Sequence, residues 1–412
     1  MRTILHSDCN GFFASVECLY NPQIRNKPVA VCGDKDKRHG IILAKNEIAK
    51  KYNIKTGEPI WQAVQKCPEL VTAEAHYDRY IRFSKLCREI YLDYTDYIEP
   101  FGLDEAWLDV SGSTLMYGSG VDIAQEIRHR IKNELGITVS IGVSFNKIFA
   151  KLGSDYKKPD AVTEITKENY RDIVWRLKAS DLLYVGRATE KKLHRMGIFT
   201  IGDLANFPLS LLRKNFGKWA DILHTFSNGL DFSPVLRYDQ SNSVKSIGNS
   251  TTAVRDLKTI EDAKIILMVL CDSVCRRMRE QGFRARTVCI SIRDTDLHTF
   301  TRQRKLSIST NLTKDILHTS LQLFKENCDF NKNIRSLGVS VTDFESDCIS
   351  HQASIFISED EIIRNEKLDS TLDNIKNRFG NYAVKPAKLM FDKELSLFNP
   401  KEEHTVHPVG YF

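Results

Sequence analysis

The sequence lacks the features of a membrane or secreted protein. No run of about 18 apolar residues occurs, so a membrane-spanning helix is not predicted. The N-terminus, MRTILHSD, has no charged segment followed by a long apolar segment, so no signal peptide is predicted either. We therefore expect a cytoplasmic protein that has no membrane partner.

The cysteines lack the spacing of a zinc site. The ten cysteines include no pair separated by two residues, and they do not form the framework of a secreted disulfide-rich domain. We expect reduced thiols, most of them buried. Cys271 and Cys275 lie one helical turn apart, and an apolar helix face explains that spacing better than a pair of metal ligands.

The chain also has little excess charge, and what it has is unevenly placed. A length of 412 residues predicts two to four domains. Between Val244 and Ser307, 13 Lys and Arg stand against 7 Asp and Glu, an excess equal to the +6 of the whole chain. We predict that this window presents a phosphate-facing surface with salt-dependent binding. Its candidate residues are Arg276, Arg277, Arg279, Arg284, Arg286, Arg302, Arg304 and Lys305.

Two adjacent carboxylates, Asp104 and Glu105, occupy the stretch YIEPFGLDEAWLDV. Strands are predicted over residues 97–99 and 106–110, with a turn at Gly102 between them. Adjacent acids repel each other, and a divalent cation usually compensates for that repulsion. Asp8, at the end of another predicted strand, would complete a site for Mg²⁺. A solvated turn is the alternative.

The predicted elements around these acids follow the order strand, helix, strand, strand, helix, strand, which is typical of a ferredoxin-like split βαβ fold. Between the acid-bearing strands lies a small basic insertion, in which residues 42–52 are predicted to be a helix. Lys147 and Lys151 share one face of a later helix, and a solvated basic face explains their spacing equally well. The other predicted elements are helices over residues 77–94, 122–135 and 145–155 and a strand over 137–143.

Short helices are predicted from residue 169 to 232. Within them LLYVGRATEKKLHRMGIFTIGDL has the form helix, hairpin, helix, with Gly186 and Gly197 at the turns. Such a hairpin can offer backbone N–H groups to a phosphate, which positions a nucleic acid without reading its sequence. A plain helical corner is the alternative.

The last folded unit repeats the βαββαβ order. Its helices are predicted over residues 260–281 and 313–327, and its later strands over 287–293, 297–306 and 334–343. Beyond residue 350 the sequence predicts one more helix, over 368–379, and then a flexible tail that contains ELSLFNP.

Four segments resemble the Y-family translesion DNA polymerases in order and spacing over roughly residues 4 to 344. They are DCNGFFASVE, FGLDEAWLDV, GVSFNKIFAKLGSDYKKP and the helical hairpin after Val185. The resemblance implies an α+β multidomain fold that acts as a monomer on primer–template DNA and dNTP. The implied parts are a palm (1–10 and 77–168), fingers (11–76), a helical thumb (169–237), a little finger (244–345) and a C-terminal helix and tail (346–412).

The same resemblance implies roles for the acids and their neighbours. Asp8 and Asp104 would bridge two Mg²⁺ ions, Glu105 would hold the catalytic ion, and the backbone carbonyl of Cys9 would be a further ligand. The three acids are present, so we expect an active enzyme.

The nucleotide-binding residues implied by the resemblance are Phe12, Phe13, Lys50 and Lys158. Phe13 stands at the family's steric gate, where a ring excludes a ribose 2′-OH, and Lys158 stands where the triphosphate binds. Departures from the family pattern are Asn10 for a second acid and Glu47 with Lys50 for the usual Tyr-x-x-Arg. CNG and KNEIAKK look more like the polymerase V catalytic subunit and its Gram-positive relatives than like typical polymerase IV.

The DNA-binding residues expected for such a polymerase are Gly186, Lys191 and Gly197 in the hairpin and Arg284, Arg286, Arg302 and Arg304 in the basic unit. In the tail, Leu395, Leu397 and Phe398 belong to a motif similar to the QLSLF peptide by which bacterial polymerases dock on the sliding clamp. Glu394 replaces the Gln of that motif.

Two other functions remain open at this point. A nucleotidyl cyclase also uses metal-binding acids on a split βαβ sheet, but it has no need of the hairpin or the basic unit. A DNA-damage binding protein without catalysis would not need the three acids and Phe13. Primer extension with single dNTPs separates all three functions.

Overall fold

The computed structural model describes residues 2–33, 40–240, 244–346 and 359–403. Two compact units are present, one made of residues 2–33 and 41–240 and the other mainly of residues 244–346 and 359–403. Within these ranges no helix is long and apolar enough to cross a membrane. The nine cysteines of the same ranges are free thiols, and seven are buried. Cys271 and Cys275 lie in the apolar core of the second unit.

The first unit contains a five-stranded and a three-stranded sheet. Its described strands are β1 (Ile4–Cys9), β2 (Val29–Cys32), β3 (Ile42–Lys45), β4 (Val71–Glu74), β5 (Ile98–Pro100), β6 (Glu105–Asp109), β7 (Val139–Ser144) and β8 (Val162–Ile165). The larger sheet has the order β5-β6-β1-β7-β8, and β1 runs antiparallel to both β6 and β7. This is the strand order of the predicted ferredoxin-like fold, with β8 added at one edge.

Helices cover the larger sheet and build the rest of the first unit. They are α1 (Phe12–Tyr20), α2 (Glu47–Lys50), α3 (Ile60–Lys66), α4 (Tyr77–Leu92), α5 (Thr114–Tyr117), α6 (Gly120–Arg130), α7 (Lys147–Tyr156), α8 (Tyr170–Ile173), α9 (Arg187–Arg195), α10 (Ile201–Asn206), α11 (Leu209–Phe216) and α12 (Trp219–Ser227). Single 3₁₀ turns occur at Pro22–Ile24 and Ala179–Asp181, and α6 continues as a π-helical turn, Ile131–Leu135.

Helix α7 lies directly on the sheet. A Cβ atom at Gly142 of β7 would lie 1.9 Å from the carbonyl oxygen of Ala150 in α7, so only glycine allows this approach. The helix begins where the Asn146 side chain accepts a hydrogen bond from the Phe149 amide at 2.8 Å. This close packing brings polar side chains of α7 to the end of β1.

The small sheet has the order β3-β2-β4. The helix predicted over residues 42–52 is wrong, because residues 42–45 form β3 and only Glu47–Lys50 is helical. The break lies at Asn46, whose side chain accepts a hydrogen bond from the Ala49 amide and caps α2. Pairing with the buried strand β2 outweighs the helical propensity of this lysine-rich stretch.

The helical part of the first unit surrounds a separate apolar core. Leu193 of α9, Ile201 and Leu204 of α10 and Leu223 of α12 are all buried in it. Helices α9 and α10 are joined by a turn in which Gly197 has a φ of 77°, a left-handed conformation that favours glycine. The predicted helix, hairpin, helix arrangement is therefore present.

The second unit has a four-stranded antiparallel sheet in the order β11-β10-β12-β9. The element order βαββαβ is as predicted, but the strand order differs from that of the first unit, because the first strand lies at the edge. The strands are β9 (Ser246–Leu257), β10 (Phe283–Asp294), β11 (Thr299–Thr310) and β12 (Ile334–Ser346). The helices are α13 (Ile260–Glu280), α14 (Thr313–Asn327), α15 (Glu359–Phe379), α16 (Lys393–Ser396) and α17 (Pro400–Glu403), with a 3₁₀ turn at Ala387–Met390.

Residues 380–403 fold back onto the second unit, where a flexible tail was expected. Leu389 and Leu395 belong to its apolar core, and Leu395 is only 1% exposed. The Asn249 side chain of β9 donates a hydrogen bond to the Pro400 carbonyl at 3.0 Å. The segment is ordered because its apolar side chains are buried, a property that its polar composition did not reveal. Helix α15 also begins earlier than predicted.

Candidate active site

Strand pairing brings the predicted acids to one place. Asp8, near the end of β1, lies opposite Glu105, the first residue of β6. The Cys9 amide donates a hydrogen bond to the Asp104 carbonyl at 2.9 Å, which ties the end of β1 to the turn before β6. In that turn Gly102 has a φ of 96°. Successive side chains of a strand point to opposite faces, so adjacent acids can serve one site only where the strand is interrupted. Asp104 lies in the turn of this hairpin, where that alternation is interrupted.

The three acids influence one another's ionisation. Burial, and then the negative charges of Asp8 and Glu105, raise the pKa of Asp104 to about 6. Burial also raises the pKa of Asp8, although the Lys158 ammonium opposes that rise. Burial acts to raise the pKa of Glu105 as well, but contacts with His6 and Lys151 outweigh it and lower that pKa to about 2. Negative charge is thus costly at Asp8 and Asp104, whereas neighbouring groups stabilise the charge of Glu105.

Two lysines from α7 and the loop after it contact the acids. Lys158 Nζ lies 2.7 Å from Asp8 Oδ2 and 2.7 Å from Asp155 Oδ1. Lys151 Nζ contacts Glu105 Oε2. Each acid of the β1–β6 pair therefore has a nearby cation, which offsets part of the repulsion.

The donor chemistry of the acids fits a hard divalent cation. Carboxylate oxygens are the ligands that Mg²⁺ prefers. Burial first, and then repulsion by Asp8 and Glu105, raise the pKa of Asp104, and a bound cation would relieve both. Among the described residues no three His, Cys, Asp or Glu side chains already stand in the arrangement of a closed metal site. The side chains would therefore turn from their lysine partners to hold a metal.

Phe13 and Phe12 differ in their surroundings. The Phe13 ring stacks on the Tyr80 ring at a centroid distance of 4.1 Å and an angle of 7°. The Tyr80 hydroxyl in turn donates a hydrogen bond to Glu17 at 2.7 Å, so the stack is anchored. Phe12 is only 3% exposed and packs in the core, so its side chain is not available to a nucleotide. Gly11, the residue before α1, has no side chain to cap the first amides of the helix.

Lys50 lies in α2, the short helix that follows β3 of the three-stranded sheet. Its ammonium contacts Glu47 one turn earlier, so the two departures from the family pattern form an ion pair. Both side chains are about 40% exposed, and such surface pairs exchange easily with other partners.

The two hairpin glycines are open to solvent. A Cβ atom at Gly186 or Gly197 would meet nothing within 4 Å. Gly186 precedes α9 and provides no side-chain cap, so the first amides of α9 are available to a phosphate. Lys191, on the same helix, is exposed.

The arginines of the second unit separate into two groups. Arg302 and Arg304 lie on β11, at the edge of the sheet, where they contact Asn327 and Glu326 of α14. Arg286 donates to the carbonyl oxygens of residues 306 and 307. These contacts leave Arg286, Arg302 and Arg304 partly or largely exposed.

The other group faces the protein, which corrects the predicted phosphate-facing surface. Arg279 contacts Asp369 at 3.1 Å and Asp373 at 2.7 Å, both in α15. Arg284 contacts Glu366 of α15 at 2.6 Å, and Arg276 is only 5% exposed and contacts Asn377. Arg277 donates to Asn249 at 2.6 Å. The charge count could not reveal this, because the acidic partners lie about 90 residues later in the chain.

Sequence reasoning missed three polar residues beside the acids. His6 and Ser154 are buried, and His6 lies two residues before Asp8, so alternation along β1 puts both on one face. For Lys147 and Lys151 the spacing left a solvated face open, but Lys147 is 2% exposed and contacts Glu99 at 2.7 Å, and Lys151 contacts Glu105. Strand alternation was the signal that could have found His6.

Comparisons with known proteins agree with this architecture. Residues 7–155 match the impB/mucB/samB family, residues 244–354 match the C-terminal domain of that family, and residues 180–231 match the thumb domain of DNA polymerase iota. DNA polymerase IV of Acetivibrio thermocellus is 51% identical over 395 residues, which cover 96% of this chain and 99% of that relative. The chain belongs to the Y family of DNA polymerases. It is a DNA-directed DNA polymerase.

Further Y-family members resemble the chain over nearly its full length. DNA polymerase IV 2 of Bacillus subtilis is 36% identical over 390 residues, which cover 93% of this chain and 93% of that relative. Among solved structures, the Y-family DNA polymerase chimera Dbh-Dpo4(243-245)-Dbh aligns with a TM-score of 0.73 and 25% identity, and covers 83% of this chain and 98% of its own. The fold assignment therefore rests on sequence and structure together.

Proposed function

We propose that this polymerase adds dNTPs to a primer 3′ end with two Mg²⁺ ions, and that its task is low-fidelity synthesis past damaged template. The observation that carries the proposal is the meeting of Asp8, Asp104 and Glu105 at one sheet edge, where their charges repel. When bound, the ions supply charge stabilisation at the attacking and leaving oxygens. Asp8 and Asp104 would hold both ions, and Glu105 and the Cys9 carbonyl would complete the ligand set.

Three parts of the first unit bind and select the nucleotide in this proposal. Lys158 can exchange its contact with Asp8 for the triphosphate, because its ammonium already lies beside the acids. The amides of Phe12 and Phe13, uncapped at the start of α1, can donate to the same phosphates. The Phe13 ring, fixed by Tyr80, would exclude a ribose 2′-OH. Lys50 would reach the triphosphate only after leaving Glu47.

Residues other than the acids would hold the primer–template DNA. The open amides after Gly186, with Lys191 and the turn at Gly197, suit a phosphate of the duplex. In the second unit, Arg286, Arg302 and Arg304 are the exposed cations that support phosphate contacts, whereas Arg284 is engaged with Glu366. Such contacts position the duplex without reading its sequence.

Neither alternative function accounts for all of these features. A nucleotidyl cyclase has no use for the open hairpin amides or for the exposed arginines of β11. A DNA-damage binding protein has no use for three adjacent acids, two of which, Asp8 and Asp104, are largely buried at a cost that raises their pKa.

Primer extension tests the proposal. The full-length chain is incubated with Mg²⁺, a primer–template and one dNTP at a time, on an undamaged template and on one that carries an abasic site. We expect extension by the templated dNTP, and extension across the abasic site. Cyclic nucleotide without a template would support the cyclase, and DNA binding without extension would support the damage-binding protein.

We also propose that the segment from Glu394 to Phe398 binds a sliding clamp after leaving its place on the second unit. Leu395 is buried there, and Phe398 borders a cavity of about 360 Å³ between α13, α14 and residues 381–389. Of the three apolar side chains Leu395, Leu397 and Phe398, Leu397 alone is largely exposed, at 52%. A clamp pocket can receive these side chains only when they are free, so binding and docking compete.

Ion pairs hold this segment in its docked position. Arg255 of β9 contacts Asp392 at 2.6 Å, and its Nε lies 3.7 Å from Glu394. Asp392 also caps α16 by accepting a hydrogen bond from the Leu395 amide at 3.0 Å. Glu394, the residue that replaces the Gln of the related motif, therefore favours docking over release.

A further inference from the structure

Asn10, one of the departures from the family pattern, is a buried polar residue to which the proposed reaction assigns no role. It follows β1 directly, two residues after Asp8, and is only 5% exposed. Its Oδ1 atom accepts hydrogen bonds from the Asp160 amide at 2.8 Å and from the Thr138 hydroxyl at 3.1 Å. Its Nδ2 atom donates to the Ser140 hydroxyl at 2.9 Å. A backbone N–H can only donate, so Oδ1 and not Nδ2 must face Asp160.

The hydrogen bond from Asp160 to Asn10 holds the loop that carries Lys158. This loop follows α7, and within it Asp160 has a left-handed φ of 54°. Arg128 Nη1 donates to Asp160 Oδ1 at 2.8 Å, and Lys132 Nζ lies 2.7 Å from Asp160 Oδ2. The backbone of the loop is thus held by Asn10, and the Asp160 side chain is held by two cations.

The end of β1 therefore contacts this loop twice, and the two contacts differ in what nucleotide binding would do to them. Lys158 Nζ lies 2.7 Å from Asp8 Oδ2, and this contact must break if Lys158 is to bind a triphosphate. The hydrogen bond from the Asp160 amide to Asn10 involves neither of those side chains, so it can stay in place. It would keep the Lys158 backbone beside the acids after the ammonium has turned to the phosphates.

We propose that Asn10 is a positioning residue for Lys158: it accepts the hydrogen bond of the Asp160 amide and so holds the loop from which Lys158 reaches the phosphates of the incoming dNTP. This inference rests on the proposed function of Lys158 in binding the triphosphate. A binding side chain keeps its productive geometry only when neighbouring contacts hold it. Loss of the Asn10 acceptor should therefore weaken phosphate binding, although Asn10 itself does not touch the nucleotide.

Three substitutions separate the contacts of Asn10. Asn10→Ala removes all of its side-chain hydrogen bonds. Asn10→Asp keeps an acceptor for the Asp160 amide, and the Ser140 hydroxyl can turn to donate to the new carboxylate. Ser140→Ala is the matched control, because it removes a buried partner of Asn10 and leaves the hydrogen bond to the loop in place. If Asn10 only satisfied buried polar groups, Ser140→Ala would weaken dNTP binding as well.

The experiment measures dNTP binding in Mg²⁺ by isothermal titration calorimetry. The full-length chain is bound to a primer–template whose primer ends in a dideoxynucleotide, so that no chemistry follows. We expect Asn10→Ala to weaken binding roughly tenfold, and by the same factor for each dNTP opposite its template base, because Lys158 would contact phosphate. Pyrophosphate binding should weaken by a similar factor.

The other two variants should stay closer to wild type. Asn10→Asp should bind dNTP within about threefold of wild type, and Ser140→Ala within about twofold. The affinity for the primer–template should be the same in all three variants, because none of them changes a residue that holds the duplex. Losses of dNTP affinity that follow the melting temperature and are shared by Ser140→Ala would overturn the proposal.

Lys158→Gln, alone and combined with Asn10→Ala, tests whether Asn10 acts through Lys158. If it does, the double variant should bind dNTP no more weakly than Lys158→Gln alone. Additive losses would overturn the proposal, because Asn10 would then act on another group. If Asn10→Ala does not fold, Asn10→Ser takes its place in each comparison, because its shorter side chain also loses the hydrogen bond from Asp160.

The Lys158→Gln variant also separates the two levels of the proposal. Weakened dNTP binding in Lys158→Gln with unchanged binding in Asn10→Ala would reject the role of Asn10 alone. Unchanged dNTP and pyrophosphate binding in Lys158→Gln would reject the role of Lys158 in binding the triphosphate, and the inference about Asn10 with it.

Discussion

Charged residues of the two units differ in what they contact. In the first unit, Asp8, Asp104 and Glu105 meet at a sheet edge, and only part of their charge is offset by lysines. In the second unit, the most concentrated arginines of the sequence contact acids of α15 and are largely neutralised. A residue's position at the end of a strand determines where its charged side chain points. The number of charges in a stretch of sequence does not show where those charges point.

Replacing Arg279 should give the largest effect on stability among the arginines. Arg279→Ala leaves the buried Asp373 and the partly buried Asp369 without this cation, and we expect the free energy of unfolding in urea to fall by about 3 kcal/mol. The exposed Arg302 is the matched control, for which Arg302→Ala should change stability by less than about 0.5 kcal/mol.

For DNA affinity the order of the two variants should be reversed. Arg302→Ala should weaken binding to a primer–template and reduce the slope of log affinity against log salt by about 1, while Arg279→Ala should leave that slope unchanged. A lower slope for Arg279→Ala would show that this arginine faces DNA after all.

A second prediction concerns how much ionised Asp104 lowers the stability of the fold when no metal is bound. The pKa of Asp104 is about 6 in the folded chain against a usual 3.8, so the folded state binds this proton more tightly than the unfolded state. Ionised Asp104 therefore lowers stability above pH 6, and that cost disappears as the pH falls toward 4. In EDTA at pH 7.5, Asp104→Asn should be more stable than wild type by up to about 3 kcal/mol.

Thermal unfolding of both proteins between pH 4 and 8 checks this prediction. The gain in Asp104→Asn should shrink as the pH falls. Asp172→Asn, at a position that is 78% exposed, is the control and should show no gain. A variant that is less stable than wild type at every pH would mean that Asp104 stabilises the fold.

Sugar selection should depend on Phe13. Phe13→Ala removes the ring that is fixed by Tyr80, and we expect the ratio of kcat/KM for dNTP over rNTP to fall roughly tenfold or more. Phe83→Leu, on the α4 face that contacts Tyr20, serves as the control and should keep the wild-type ratio. An unchanged ratio in Phe13→Ala would assign the gate to another residue.

The smallest effects concern the docked segment. Arg255→Ala and Glu394→Gln each remove an ion pair that holds it, and we expect each to tighten binding of the full-length chain to a bacterial sliding clamp by about threefold. Fluorescence anisotropy competition would measure this, with Arg293→Ala as a surface control.

The isolated peptide of residues 391–400 should bind the clamp more tightly than the full-length chain does, because it has no docked state to leave. Replacing both Leu397 and Phe398 by Ala should remove binding in either form. Equal affinity of the peptide and the full-length chain would contradict the competition between docking and clamp binding.

The sequence was sufficient to predict the parts of the site that depend on local pattern. A strand that ends in Asp8 and a turn before Glu105 predicted the meeting of the acids, and the element order predicted the palm sheet. The sequence was not sufficient where the partner is remote. Asn46 ends β3 and caps a short helix in place of the predicted long one, and the buried position of Leu395 depends on packing against β9 and α13.

One measurement tests most directly the claim that the three acids are needed for catalysis and that other residues bind the DNA. It is the single-turnover rate of dNTP incorporation by Asp104→Asn as the primer–template concentration is raised. We expect the rate at saturating DNA to fall by roughly a thousandfold, a loss of about 4 kcal/mol of transition-state stabilisation, while the DNA concentration at half saturation stays near that of wild type. A near wild-type rate at saturating DNA would contradict the account.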